Sequence, residues 1–145
     1  MTTSHAHAHA VLVTTRLPSA VLRRLEESCS VEVYDQGPEM PREALLARIE
    51  GKAGLISMFN NRIDREVIDA GGSLRVIATV AVGHNNIDVA AARERGIVVT
   101  NTPDVLTEAT ADLTWALILD ITRRVSEGDR LVRRGGWTRW AFDFM

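Results

Sequence analysis

The sequence predicts an α/β domain: a doubly wound parallel sheet of about five strands, followed by a long C-terminal helix. Three observations predict it. Short apolar runs alternate with amphipathic helical segments over residues 10–100. The third, fourth and fifth runs are almost continuously apolar, as strands covered on both faces are. Proline or glycine falls at the junctions, at Pro18, Pro41, Gly51 and Gly96.

The first run, AVLVTT at residues 10–15, is a candidate buried strand. Pro18 and Ser19 open a helix that carries Val21, Leu22 and Leu25 on one face. VEVYD at residues 31–35 alternates like a strand, with Val31, Val33 and Asp35 on one side. After the loop QGPEMP, Pro41 starts a helix with Leu45, Leu46 and Ile49 at helical spacing and Gly51 past its end. GLISMF is the third strand, and DREVIDAGG is a short helix closed by Gly71 and Gly72. LRVIATVAV is the fourth strand, NIDVAAARERG a helix ending at Gly96, and IVVTNT the fifth strand. This order predicts the flavodoxin-like type of doubly wound sheet, with functional residues beyond the carboxyl ends of the strands.

Composition bounds the function. Of 145 residues, 46% are hydrophobic and 25% charged, which are ordinary globular values. Seventeen basic against 19 acidic residues leave a net charge of -2, so nothing here argues for a nucleic-acid or membrane partner. The single cysteine, Cys29, forms no intrachain disulfide and fits a reducing, cytoplasmic setting. No cysteine pairs build a zinc site, and no metal site is expected. Residues 1–9 carry His5, His7 and His9 alternating with alanine, and read as a disordered tail or an affinity tag rather than a natural metal site.

After residue 103 the character changes. Thr102 or Asp104 can cap a helix, Pro103 fits its first turn, and neither Gly nor Pro occurs between Val105 and Glu127. The expected helix covers residues 105–134, opening at Val105 and closing at Arg134. Its middle is apolar nearly all round: Leu113, Trp115, Leu117, Ile118, Leu119 and Ile121. Such a helix needs cover on every side. That requirement, and the aromatic ending RWAFDFM, lead us to expect part of a longer protein and a homodimer or larger assembly through this helix.

The chemistry-bearing stretch is TVAVGHNNID at residues 79–88. Residues 79–83 read as the end of a buried strand, and a polar elbow follows. Two readings stand: Gly83 and Asn85–Asn86 turn the chain into the next helix, or consecutive amides form an anion-binding nest that the missing side chain of Gly83 leaves open.

The segment VIATVAVGHNNIDVAAARERGIVVTNTPDVLTEATADLTWALILDITRR, and within it VTNTPDVLTEATADL, resembles the D-isomer-specific 2-hydroxyacid dehydrogenases, most closely the glyoxylate/hydroxypyruvate reductases. The resemblance runs from AVLVTT to GGW. It implies that residues 10–103 are part of a flavodoxin-like substrate domain, and that residues 104–145 are the crossover helix and the start of a nucleotide-binding domain. It implies that the complete enzyme reduces a small 2-oxo acid with NAD or NADP, using an Arg, a Glu and a His that follow this segment. No catalytic residue is therefore expected in this chain, which alone is expected to be inactive and to bind no cofactor tightly. Indeed no G-x-G-x-x-G occurs in it.

The resemblance also assigns candidate site residues. It gives Val82 and Gly83 the substrate carboxylate, through their backbone amides. It gives Met58 and Phe59, in SMFNN, the carbon chain of the substrate, although packing on the domain's own core is an equal alternative. It gives Thr110 a contact with the nicotinamide, against a back-bond to its own helical turn. His84 is expected to face solvent, Asp112 to orient the crossover helix, and Arg123 and Arg124 to complement the helix dipole. The alternative function is a stand-alone flavodoxin-like binding or assembly module. A phospho-receiver does not fit, because the first and third strands end in Thr14-Thr15 and Ser57-Met58, without the acidic pocket that receivers need.

Overall fold

The computed structural model describes residues 9–140 and residue 142. His5, His7, Phe144 and Met145 lie outside them. The chain divides into two compact units, Met1–Pro103 and Asp104–Met145.

In the first unit, β1 (Ala10–Val13), β2 (Ser30–Val33), β3 (Gly54–Ser57), β4 (Val76–Thr79) and β5 (Val98–Thr100) form one sheet in the order β2-β1-β3-β4-β5. All four pairings are parallel. This is the flavodoxin-like order, and it puts the reversal of strand order at β1 and β3, where a crevice opens outside their carboxyl ends. Between strands run α1 (Ser19–Glu26), α2 (Arg42–Ile49), α3 (Arg65–Ala70) and α4 (Val89–Glu94).

The core has a simple origin. Strand side chains alternate between faces, and the register places Leu12 beside Leu55 and Leu55 beside Ile77. These three are fully buried on one face. They cluster with Leu45 and Ile49 of α2, Val67 and Ile68 of α3, and Ala91 and Ala92 of α4. Gly71 closes α3 for a packing reason, since a Cβ there would run into Leu74 and Ile49. Gly51 and Gly96 follow their helices with φ of 72° and 68°, the left-handed conformation glycine adopts without strain.

Three expectations need correction. The fourth strand does not run on through Gly83: it ends at Thr79, and Val80 and Val82 are about two-fifths exposed. The ladder stops because the chain turns out to meet segment 101–102, as described below. Second, the opposite sheet face is covered at β1, where Val11 and Val13 are buried, but Val98 of β5 is 58% exposed among the described residues. Third, the long helix is two helices, α5 (Thr107–Arg123) and α6 (Val125–Arg133). Arg124 breaks it with φ 54° and ψ 36°. The break needs neither Gly nor Pro because Asp120 accepts hydrogen bonds from the Ser126 amide and hydroxyl at 2.6 and 2.8 Å, and Arg124 binds Glu127 through two nitrogens. Nor does Thr102 or Asp104 cap α5; Leu106 occupies that position without a side-chain bond.

Asp64 caps α3 by accepting from the Val67 amide, and its carboxylate also accepts from Arg42 at 2.9 and 3.0 Å. The hydrogen bond from Arg42 holds the Asp64 carboxyl below its ordinary pKa. A depressed folded-state pKa contributes stability that is present above the unfolded value, about 4, and lost as pH falls through the folded value. Asp64→Ala should therefore lower stability at neutral pH by about 1 kcal/mol, the usual loss of a cap. Asp64→Asn should keep most of the cap but flatten the loss of stability below about pH 4. Denaturant titrations at several pH values check both.

Candidate functional site

The site grows from the carboxyl ends of the central strands. One pleat beyond the apolar row Leu12–Leu55–Ile77, the same face becomes polar. Thr14, Ser57 and Thr79 are buried side by side, and none of their hydroxyls has a hydrogen-bond partner among the described residues. The sheet thus changes from hydrocarbon to hydroxyl where the crevice begins.

Two loops leave this edge. Residues 58–62 follow β3, and residues 80–88 follow β4. A set of main-chain bonds joins them: the Val80 amide donates to the Ser57 carbonyl at 2.9 Å, the Ile63 amide to Asn86 at 2.8 Å, and the Asp88 amide to Ile63 at 2.9 Å. Asn86 is the side chain that ties them. Its Nδ2 donates to the carbonyls of Met58 at 3.1 Å and Asn61 at 2.8 Å. Asn61 is itself buried and donates to the Met40 carbonyl at 3.0 Å. Asp88 then caps α4, accepting from the Ala91 amide at 2.8 Å.

The elbow itself is held from the β5 side. The Thr102 amide donates to the Ala81 carbonyl at 3.0 Å. Asn101 Nδ2 donates to the Val82 carbonyl at 2.7 Å. All peptides among the described residues are trans, and in a planar trans peptide the N–H points opposite to the C=O. The amides of Val82 and Gly83 therefore point away from segment 101–102. Neither donates to any described residue. Gly83 is not in the left-handed conformation, and a Cβ built on it meets nothing within 4 Å. Neither the backbone nor the packing calls for a glycine here, so turn chemistry alone does not account for it.

Met58 is half-buried and Phe59 is 68% exposed, so Phe59 does not pack into the domain's own core. Phe59 lines a cavity of about 380 Å³ with Asn60, Arg62, Asp64, Asn85 and Asp88. Val82 and Gly83 are not among its walls. His84 is exposed, as expected for an elbow residue. In the second unit, Thr110 lies exposed on α5. Its hydroxyl makes no back-bond; its carbonyl instead accepts from Thr114 Oγ1 at 2.8 Å. Asp112 is exposed, with no hydrogen bond or ion pair among the described residues. No group of three His, Cys, Asp or Glu side chains among those residues could hold a metal ion, and no described helix is long and apolar enough to cross a membrane.

The glycine pairs have packing and helix-ending roles. Gly71 serves the packing under Leu74. Gly135, with φ 70°, ends α6, and a Cβ on Gly136 would press on Leu131. Sequence reasoning passed over Asn86, Asn61 and Asn101. Asn86 read only as a turn residue, and nothing in NNID or TNTP says which carbonyl an amide will meet.

Residues 11–141 match the family model of the D-isomer specific 2-hydroxyacid dehydrogenase catalytic domain. The glyoxylate reductase of Pyrococcus horikoshii is 46% identical over 129 residues, which are 89% of this chain and 39% of that protein. The crystal structure of the TT0316 protein from Thermus thermophilus superposes with a TM-score of 0.82 at 50% identity, over 94% of this chain and 44% of that one. An NADPH-dependent glyoxylate/hydroxypyruvate reductase from Sinorhizobium meliloti, solved with NADP and malonate, gives 0.72 at 32% identity, over 90% of this chain and 40% of that one. The chain belongs to the D-isomer specific 2-hydroxyacid dehydrogenases. It spans about two-fifths of the length of the relatives it matches.

The two hydrogen bonds donated by Asn86 lead to a prediction about this edge. Asn86→Ala leaves two part-buried carbonyls without their donor, a loss of about 1–3 kcal/mol. Amide hydrogen exchange at Ile63 and Asp88 should quicken, while exchange at Leu55 in the strand follows only the global loss of stability. Unchanged exchange at both loop amides would show that Asn86 is not the tie.

Proposed function

We propose that this chain is the substrate-side part of an NAD(P)-dependent 2-hydroxyacid dehydrogenase of the glyoxylate/hydroxypyruvate reductase kind. Its own task is to hold the carboxylate of a small 2-oxo or 2-hydroxy acid on the amides of Val82 and Gly83. One observation carries this reading: two successive amides without partners stand beside a glycine that neither conformation nor packing requires. Two successive N–H dipoles turned away from the same segment favour an anion. A glycine in front of them leaves room for one. The names of the similar proteins, glyoxylate reductase and NADPH-dependent glyoxylate/hydroxypyruvate reductase, supply the substrate class and the cofactor.

Met58 and Phe59, at the tip of the neighbouring loop, offer the apolar wall for the carbon chain, and Phe59 has the exposure this requires. Thr110, whose hydroxyl is free of intrahelical bonding, is the cofactor-side contact. Among the described residues neither glycine pair is set up as a phosphate-binding turn: Gly71 packs under Leu74 and Gly136 against Leu131. NAD or NADP is bound by the rest of the complete enzyme, which also supplies the acid-base and arginine groups. We assign residues 10–103 to the substrate domain and residues 104–145 to the crossover into the nucleotide-binding domain. The lone Cys29 fits a cytoplasmic enzyme.

The Gly83 reading separates folding from binding. Gly83→Ala should leave the Tm of the 145-residue chain unchanged or raised by a few degrees, because the new methyl meets open space and the unfolded chain loses freedom. Gly83→Val, in the enzyme completed by its nucleotide-binding domain, should raise KM for glyoxylate about tenfold or more. KM for the cofactor should move far less. A Gly83→Ala chain that unfolds, or an unchanged glyoxylate KM in a folded Gly83→Val enzyme, returns Gly83 to the turn.

The second unit carries the assembly reading. No residue of α5 is buried, and Trp115 is 64% exposed with Leu113, Leu117, Leu119 and Ile121 exposed around it. An aromatic side chain can bury about 150–250 Å²; with Trp115 64% exposed, about 2–4 kcal/mol of favourable transfer remains available at that residue alone. We assign this surface to a homodimer or larger assembly centred on α5. Sedimentation at micromolar concentration should show a dimer that Trp115→Glu converts to monomer; a monodisperse monomer of the parent chain contradicts the assignment.

A further inference from the structure

We infer that Asn101 is a positioning residue for the carboxylate site: its amide aims the Gly83 N–H. The inference rests on the carboxylate reading above and adds a residue to it.

Two peptide groups make the nest, and each is oriented by its carbonyl. The peptide between Ala81 and Val82 is held by a main-chain donor, the Thr102 amide at 3.0 Å. No substitution of side chain removes that bond. The peptide between Val82 and Gly83 is held by a side chain alone, Asn101 Nδ2 at 2.7 Å. This second peptide needs holding more than the first. It follows the end of β4, so no ladder bond reaches it. It precedes Gly83, whose missing Cβ leaves its own torsions the least restricted of the elbow. A Cβ built at that position would meet nothing within 4 Å, so no side-chain packing at Gly83 fixes its torsions. Rotation would carry the N–H out of the nest and turn the carbonyl oxygen into it, putting a partial negative charge where an anion should sit.

Asn101 suits the task for identifiable reasons. It directly follows Thr100, the last residue of β5 paired with β4, so the ladder delivers the chain to the elbow one residue before it. Thr102 next to it is anchored to Ala81, which fixes the reach of the Asn101 side chain to the following carbonyl. Its amide nitrogen donates without carrying charge, so it orients the peptide without competing for the anion. Aspartate at this position keeps the shape, loses the donor and adds a negative charge.

The test uses the 145-residue chain labelled with ¹⁵N and titrated with oxamate, a stable mimic of a 2-oxo acid. In the parent chain the Gly83 amide resonance should shift in a saturable way. In Asn101→Ala the affinity should fall about tenfold, with the Ile63 and Ile77 amides at their parental positions. Asn101→Asp at neutral pH should bind more weakly still. As pH falls below about 4, its protonated carboxyl becomes a donor and binding should tighten relative to Asn101→Ala at the same pH. A general structural role for Asn101 would not produce that recovery. Parental affinity in Asn101→Ala, or no relative recovery in Asn101→Asp, overturns the role of Asn101 and leaves the carboxylate site standing. A parent chain whose Gly83 amide does not respond to oxamate overturns the carboxylate reading, and the role of Asn101 with it.

Discussion

The site depends on one constraint: the chain leaves the β4 ladder at Thr79 and is caught at once by the end of β5. A fourth strand continued to Gly83 would have spent the amides of this stretch on sheet bonds or buried them. Instead the carbonyls of Ala81 and Val82 are taken by Thr102 and Asn101, and trans geometry then decides where the amides face. The order β2-β1-β3-β4-β5 brings this elbow beside the loop that follows β3. The Asn86 side chain then joins the two. Fold topology supplies the neighbourhood, and four hydrogen bonds supply the geometry.

The sheet was legible in the sequence because its signal is redundant. Leu12, Leu55 and Ile77 each sit in an apolar run, each run is followed by a helical pattern, and glycines stand at the helix ends. Strand ends were less legible. Val80 and Val82 are as apolar as Val76, and hydrophobicity alone cannot distinguish a valine in a ladder from one in an elbow. The same limit applies to the long helix. Its break at Arg124 comes from Asp120 reaching Ser126 across the turn, a side-chain bond that leaves no Gly or Pro to read. Val82 and Gly83 were picked out as candidates by family resemblance. The asparagines around them were not, since an amide's role depends on which carbonyl lies within hydrogen-bond reach of it.

The apolar surface on α5 and the open face of β4 and β5 belong to the same physical problem. Parallel sheets are stable when both faces are covered, and a helix apolar on most sides needs more than one neighbour. Val98 in the first unit and Trp115 in the second are each left exposed, and the chain spans about two-fifths of its relatives' length.

The central claim is that the Val82 and Gly83 amides bind a carboxylate. The most direct measurement is a crystal structure of this chain grown with malonate. The account predicts a carboxylate with one oxygen about 2.7–3.0 Å from each amide nitrogen and the Asn101 bond to Val82 intact. Malonate ordered elsewhere while both amides donate to main-chain carbonyls would contradict it.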